Sequence, residues 1–376
     1  MIRERKGSYD RCIEGRMTKT SKVFQTLFFA VLLSAALVSA GAQEHSIRVS
    51  LPVQTVAPVE NRETLFDFHS GFWVNLHHFL YRQALLSEPQ KGPHPVTISG
   101  ADNAELLRLS SSERTSWDAA VSYYKDSFGN RSLLFDRGME AIKNQLEDAE
   151  ESPDLANTQL SPKLKAVLLS VAPIYRKYWW PRHDEENRKW IAQLRPLVAQ
   201  YGSMLAAEIS TIYATPWPQY PVRIDAVAYA DWAGAYTTLF PTRPTVSTSD
   251  PANQGTAALE IIFHETSHGM MGKLMDAIRL AETNLNAQRT SGAFHSGSIW
   301  HAVLFYMAGE LVAKQVPGYV PYADKNGLWL RAWPGADHLL IEQDWKPHMQ
   351  GSVGLQQALT KLIDDLAAEP SRKRGS

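Results

Sequence analysis

Cysteine is nearly missing from this sequence. Among 376 residues there is one, Cys12, and it lies in an N-terminal segment whose layout is that of a removable leader. Without it the chain has no thiol, which excludes disulfides, thiolate zinc sites, cysteine nucleophiles and a lipid-bearing cysteine. Any metal must then be held by His, Asp or Glu. Long apolar runs are scarce as well: beyond Val23 to Val38 no stretch approaches the ~20 residues that a membrane-spanning helix requires. Internal repeats and low-complexity linkers are absent. Charge of one sign is not in excess, the formal balance being −1. The first 42 residues hold seven of the basic side chains and three of the acidic ones, so the remainder carries 31 Lys and Arg against 36 Asp and Glu. A mildly acidic chain argues against nucleic acid as the main partner.

What the N-terminus does contain is Lys19 and Lys22, then the apolar run Val23 to Val38, then Ala40-Gly41-Ala42. That order reads as a signal peptide cleaved after Ala42, with Met17 an alternative start just ahead of it. The expectation is a periplasmic or secreted protein with no membrane span in its mature form.

The organisation that follows is mainly helical. Ile47 to Val56 alternates like a short strand, and Asn61 to Leu86 has apolar residues Phe66, Phe72, Leu76, Phe79 and Leu80 near the helical period. Helices are expected at 112–127, at 131–149, from Ser161-Pro162 onward and at 184–213, with Pro216 and Pro218 as stops. The run Glu147-Asp148-Ala149-Glu150-Glu151 reads as a solvated helix end. Strands are expected at 222–229 and 245–248, and helices from 253 to 282, at 298–315, 335–343 and 353–368. The fold class is therefore mainly α, formally α+β, with a small antiparallel sheet and several long helices. Three parts are expected: the leader 1–42, a mainly helical part 43–215 forming one wall of a cleft, and a part 216–376 carrying the chemistry.

That chemistry centres on His264-Glu265-Thr266-Ser267-His268, an H-E-x-x-H pattern. On a helix, positions four apart lie on one face, so both imidazoles can reach one zinc ion while Glu265 stands beside them as a general base for water. The apolar flanks Ala257 to Phe263 and Met270, Met271, Leu274 and Met275 support a buried helix. His69, His77 and His78 form a second histidine-rich stretch. On one helix His69 would lie roughly 12 Å from the other two, so these read as a cleft wall or core polar groups.

With Ile261, Ile262, Thr266, Ser267, Gly269 and Met270 around the motif, the segment resembles the zincin metallopeptidases. The resemblance covers roughly residues 245–311 and matches no single named family. It implies a zincin-like catalytic core and a substrate-binding antiparallel edge strand ahead of the motif helix, for which Thr245 to Thr248 is placed. The metzincin pattern would need Gly and His or Asp where Met271 and Leu274 stand, so that subfamily is excluded. The gluzincin pattern takes a third ligand from a second helix, and Glu310, in the apolar segment Trp300 to Leu311, is the best candidate. Glu282, Asp276, His295 and His301 also compete for that place. His301 lies nine residues before Glu310, half a turn out of phase, so both cannot face one metal on an unbroken helix, and His301 reads as a core or substrate-lining histidine. Tyr306, one turn before Glu310, is a candidate to stabilise an oxyanion. The loop Gly318 to Gly327 reads as a surface turn, and the rival reading has Tyr319, Tyr322 and Asn326 swing over the cleft.

The expectation is an exported hydrolase with Zn2+ on His264, His268 and Glu310, acting on a peptide or protein. Two rival readings stand beside it: a non-catalytic periplasmic binding or scaffold protein on the same core, and a zinc hydrolase of a non-peptide bond.

Overall fold

The computed structural model describes residues 65–86, 97–150, 152–231, 233–290, 292–333 and 335–369. Cys12, the apolar N-terminal run, the cleavage position and the strand expected at 47–56 lie outside the described residues. Among those described, no helix is long and apolar enough to cross a membrane.

The protein is mainly helical with one small mixed sheet. Strand β1 (Phe66–His69) interrupts what the sequence pattern suggests is a single helix over 61–86, and the helix proper, α1, runs Phe72–Leu85. The apolar period that suggests one helix is shared by two elements, because Phe66 serves a strand and Phe72, Leu76, Phe79 and Leu80 the helix. The next helices are α2 (Gly100–Leu106), α3 (Ser111–Phe128), α4 (Arg137–Ala149), α5 (Pro162–Tyr178) and α6 (Trp180–Ile212). Their starts follow from side chains that satisfy free N–H groups. Ser110 and Glu113 form a capping box on α3, Asp136 accepts from Gly138 and Met139 on α4, and Ser161 with Pro162 opens α5.

Strands β2 (Val222–Val227), β3 (Ala235–Thr238) and β4 (Arg243–Ser247) complete the sheet in the order β1-β2-β4-β3. β1, β2 and β4 are parallel, and only β3 runs antiparallel, so the sheet is mixed rather than antiparallel. The segment that the sequence suggests as the edge strand, around Thr245, is an internal strand paired on both sides; the antiparallel edge is β3. β1 lies ahead of residue 215 and the other strands beyond it, so the sheet draws on both the helical and the chemistry-bearing part of the chain.

The long helix expected over 253–282 is broken in two. α7 (Thr256–Ser267) passes through a single 3-10 turn, His268–Met270, into α8 (Gly272–Ala287). The break has a local cause. A Cβ added at Gly269 would stand 2.2 Å from Thr242 Oγ1 and 3.1 Å from its Cβ, so the turn joining β3 to β4 presses directly on the backbone after His268. Then come α9 (Ile299–Gln315), the short helices α10 (Tyr322–Lys325), α11 (Leu328–Arg331) and α12 (Asp337–Leu340), a π-helical turn at Ile341–Trp345, α13 (Lys346–Met349) and α14 (Leu355–Ala368).

Two apolar clusters hold these elements. One joins α1, α3 and α5 through rings such as Phe79, Trp117, Tyr175 and Trp179; the other joins α6, α7, α8, α9 and α14 to β1 and β2. α7 and α9 lie inside the second cluster, which keeps the motif helix buried on nearly every side.

Candidate metal centre

α7 is apolar up to Phe263 apart from Glu260, so the chemistry-bearing side chains along its buried face are Glu260, His264 and, one residue past its end, His268. They are four apart and stack along one line of the helix. α9 lies against that line. His301, Phe305 and Gly309, again four apart, form its facing row. Gly309 matters for the fit: a Cβ there would meet Pro321 Cβ at 2.7 Å and Glu260 Oε1 at 3.3 Å. The bare backbone lets α9 approach closely enough for His301 to reach the motif.

The result is a triangle of imidazoles. His264, His268 and His301 have ring centroids 5.1 to 5.2 Å apart, and one nitrogen of each lies within 4.8 Å of the others. His264 Nε2 and His301 Nε2 are 3.2 Å apart. Two nitrogens bound to one tetrahedral zinc at 2.0 to 2.1 Å would be roughly 3.3 Å apart, so this pair already has the required separation. Burial holds the pKa of all three below the ordinary histidine value, that of His268 at about 4. At neutral pH they are uncharged and offer lone pairs, the form in which histidine binds a metal.

Glu265 stands next to the triangle. Its Oε2 is 4.0 Å from His268 Nε2 and only 6% of the residue is exposed. Thr237 Oγ1, on the edge strand β3, lies 2.7 Å from Oε2 and 2.9 Å from the Glu265 carbonyl oxygen, so one hydroxyl proton is shared between them. Burial pushes the Glu265 pKa up to about 7, against the Thr237 hydrogen bond and the positive charge of Lys143. A carboxylate poised there can both take and return a proton near neutral pH.

Lys143 belongs to α4, whose acidic end the sequence suggests is solvated; that holds for Asp148 and Glu150, which are exposed in good part, and fails for Glu147. Lys143 and Glu147 are fully buried and paired at 2.9 Å, and Lys143 Nζ also donates to Thr238 Oγ1 and the Arg243 carbonyl. A buried pair is held only where further hydrogen bonds satisfy it, and here those bonds fasten the end of β3. Asp148 pairs with Arg243, and Glu150 with His69 and Arg223. Glu147, Asp148 and Glu150 thus line the seam between α4 and the sheet.

No protein-family model, curated protein or solved structure matches this chain. What the site can do rests on its own geometry.

Of the residues that the sequence singles out, the structure brings together His264, Glu265, His268 and His301. It does not bring Glu310 to them. Half a turn from His301 on α9, Glu310 is a third exposed and pairs with Lys346 at 3.4 Å. The two residues do face opposite ways, and His301 takes the inward position. Tyr306 is turned the same way as Glu310. Its ring packs against Trp329 and His338, its charged neighbours are Glu310 and Lys346, and burial raises its pKa. Glu282 accepts from Ser296 N and Oγ, Asp276 pairs with Arg279, and His295 is exposed, so none of these three joins the imidazoles.

Of the earlier histidines, His77 and His78 are core polar groups and His69 is half-buried. His77 bonds Tyr124, His78 bridges the Val74 carbonyl and Tyr236 of β3, and His69, on β1 rather than α1, lies between Asp67 and Glu150. Tyr319 and Tyr322 are tied down: Tyr319 OH and Tyr322 N both donate to Glu260 Oε2, at 2.7 and 2.9 Å. Thr237, Lys143 and Glu260 are part of the site or its support without being singled out by the sequence pattern. Of these Glu260 has a readable signal, a carboxylate four residues before His264 in an otherwise apolar run.

Proposed function

We propose that the protein is an exported zinc-dependent hydrolase with His264, His268 and His301 as metal ligands and Glu265 as general base. The single observation that carries this reading is the convergence of three uncharged imidazoles, one buried and two half-buried, beside a buried carboxylate. The donor set is nitrogen only, which suits zinc, and three protein ligands leave a position open. Zinc bound there would supply a Lewis acid that polarises a carbonyl and makes water a nucleophile at neutral pH.

The remaining work falls to the chain. Glu265 Oε2 accepts the proton of the attacking water and hands it to the leaving group, which is why its burial and its Thr237 contact matter. Thr237 holds that carboxylate in one orientation, and Lys143 steadies the strand that carries Thr237. Tyr306 takes no part in this reading, and Glu310 serves as a surface ion pair. A peptide or amide is the substrate class favoured by the H-E-x-x-H pattern. Export rests on the N-terminal sequence layout alone.

The test combines metal content with turnover. The purified mature protein should hold about one zinc and cleave members of a peptide library. Glu265→Gln should keep the zinc and lose cleavage. A protein that binds no zinc at neutral pH would sink the enzyme reading; one that binds zinc and cleaves esters or other non-peptide bonds only would leave the centre and replace the substrate class.

A further inference from the structure

Two unlike surroundings meet at the three imidazoles. One is the pair Glu265 and Thr237. The other is a group of aromatic rings supplied by α9, α11 and the residues just after it. Phe305 covers His264 at a centroid distance of 3.7 Å and touches His301 at 5.0 Å. Trp300 stacks on His301 at 5.0 Å and 27°, and meets His268 edge-on at 5.7 Å. Trp333 meets His301 edge-on at 5.7 Å and is itself followed by Trp329 at 5.5 Å.

Exposure tells which part of this group a ligand can touch. His264 is buried, while His268, His301 and Trp300 are partly exposed; Phe305 and Trp333 are buried. A ligand that reaches the partly exposed His268 and His301 therefore meets Trp300 beside them. No Lys, Arg, Asp or Glu occurs between Ile299 and Gly309, so this approach offers apolar and π surface with no fixed charge on its own helix. Surface tryptophan of this kind gains by covering its face with another apolar group, and an aromatic one adds ring-ring attraction.

We infer that Trp300, stacked on His301, is a specificity-determining surface that selects a large apolar group, aromatic by preference, next to the bond held at the imidazole triangle. The inference rests on the hydrolase reading and narrows it: a substrate lies with its reacting carbonyl toward Glu265 and its apolar substituent along Trp300. Charged or small substituents would gain nothing from that surface.

The experiment uses the zinc-loaded full protein and two metal-directed probes, acetohydroxamate and benzohydroxamate, measured by calorimetry. The phenyl ring should tighten binding about tenfold, as expected from burying roughly 60 Å² of apolar surface. In Trp300→Ala the ratio of the two affinities should fall to about one, and Trp300→Phe should restore most of it. Equal affinities in the unmodified protein, or an undiminished ratio in Trp300→Ala, would overturn the inference while the bound zinc left the metal centre intact. Failure to bind zinc and either probe overturns both readings, and the zinc content tells the two failures apart.

Discussion

The choice between His301 and Glu310 can be decided by replacing each with alanine and measuring zinc affinity against a chromophoric chelator. His301 Nε2 stands 3.2 Å from His264 Nε2, at the separation two ligands of one ion require, whereas Glu310 is turned to Lys346 and solvent. Structural zinc sites with four ligands bind with roughly 10 to 16 kcal/mol, or about 2.5 to 4 kcal/mol per ligand. Removing His301 should then raise Kd by roughly two to three orders of magnitude. Glu310→Ala breaks a third-exposed ion pair, whose loss costs at most about 1 kcal/mol of stability, and should leave Kd within about threefold. Both variants need the same chelator series at one pH, because protons compete for imidazole. Release of the metal by Glu310→Ala together with its retention by His301→Ala would refute the reasoning, for then α9 must turn its other face to the motif.

Particular contacts carry three further outcomes. Glu260 is fully buried and burial pushes its pKa from 4.5 up to about 8, against the bonds from Tyr322 and Tyr319. The folded state then holds a proton that the unfolded state releases above pH ~4.5, so stability falls by up to about 1.4 kcal/mol per pH unit as pH rises toward 8. Glu260→Gln, which keeps an acceptor and removes the ionisation, should flatten the Tm-versus-pH curve between pH 5 and 8; an unchanged slope would contradict this. At Gly269, alanine would drive a methyl into Thr242 and should destabilise the fold by about 1 to 3 kcal/mol, with Thr242→Ala recovering part of the loss in a double-mutant cycle; additive effects would count against the contact. Thr237→Val removes the hydroxyl that donates to Glu265 Oε2. With less support for the charged form, the acid limb of the kcat/KM profile should move to higher pH; a limb that stays put or moves down would show that Thr237 does not hold the base.

The parts of this site that the sequence makes legible are those encoded within one helix. His264, Glu265 and His268 need only a regular backbone to meet, and local apolar flanks supply it. His301 needs a second helix, its rotation and its height, and only the rotation is implied by sequence: the half-turn offset from Glu310 says that one of the two faces inward without saying which. The apolar setting of Trp300 to Leu311 suggests that a carboxylate there must find a metal, yet α9 comes near the surface at Glu310, where Lys346 arrives from α13. A similar limit hides Lys143 and Glu147. A run of acids resembles a solvated helix end until the sheet that covers it is known. The strand β1 escapes notice because four residues are too few to break the period of the helix that follows.

The origin of its three residues on separate helices gives the imidazole triangle a mechanical meaning. His264 and His268 belong to one helix and its closing turn and His301 to another helix, so an ion shared among them ties two separate segments into one closed ring of chain. Ligand linkage makes that tie a store of stability: at a free ion concentration one hundred times Kd it contributes about 2.7 kcal/mol to the folded state. Chelation would therefore act first on the chain that the ring closes, α8 and the start of α9, before the sheet or the remote aromatic cluster is disturbed. On the proposed reading, metal supply would then set how long this stretch of chain escapes a neighbouring protease.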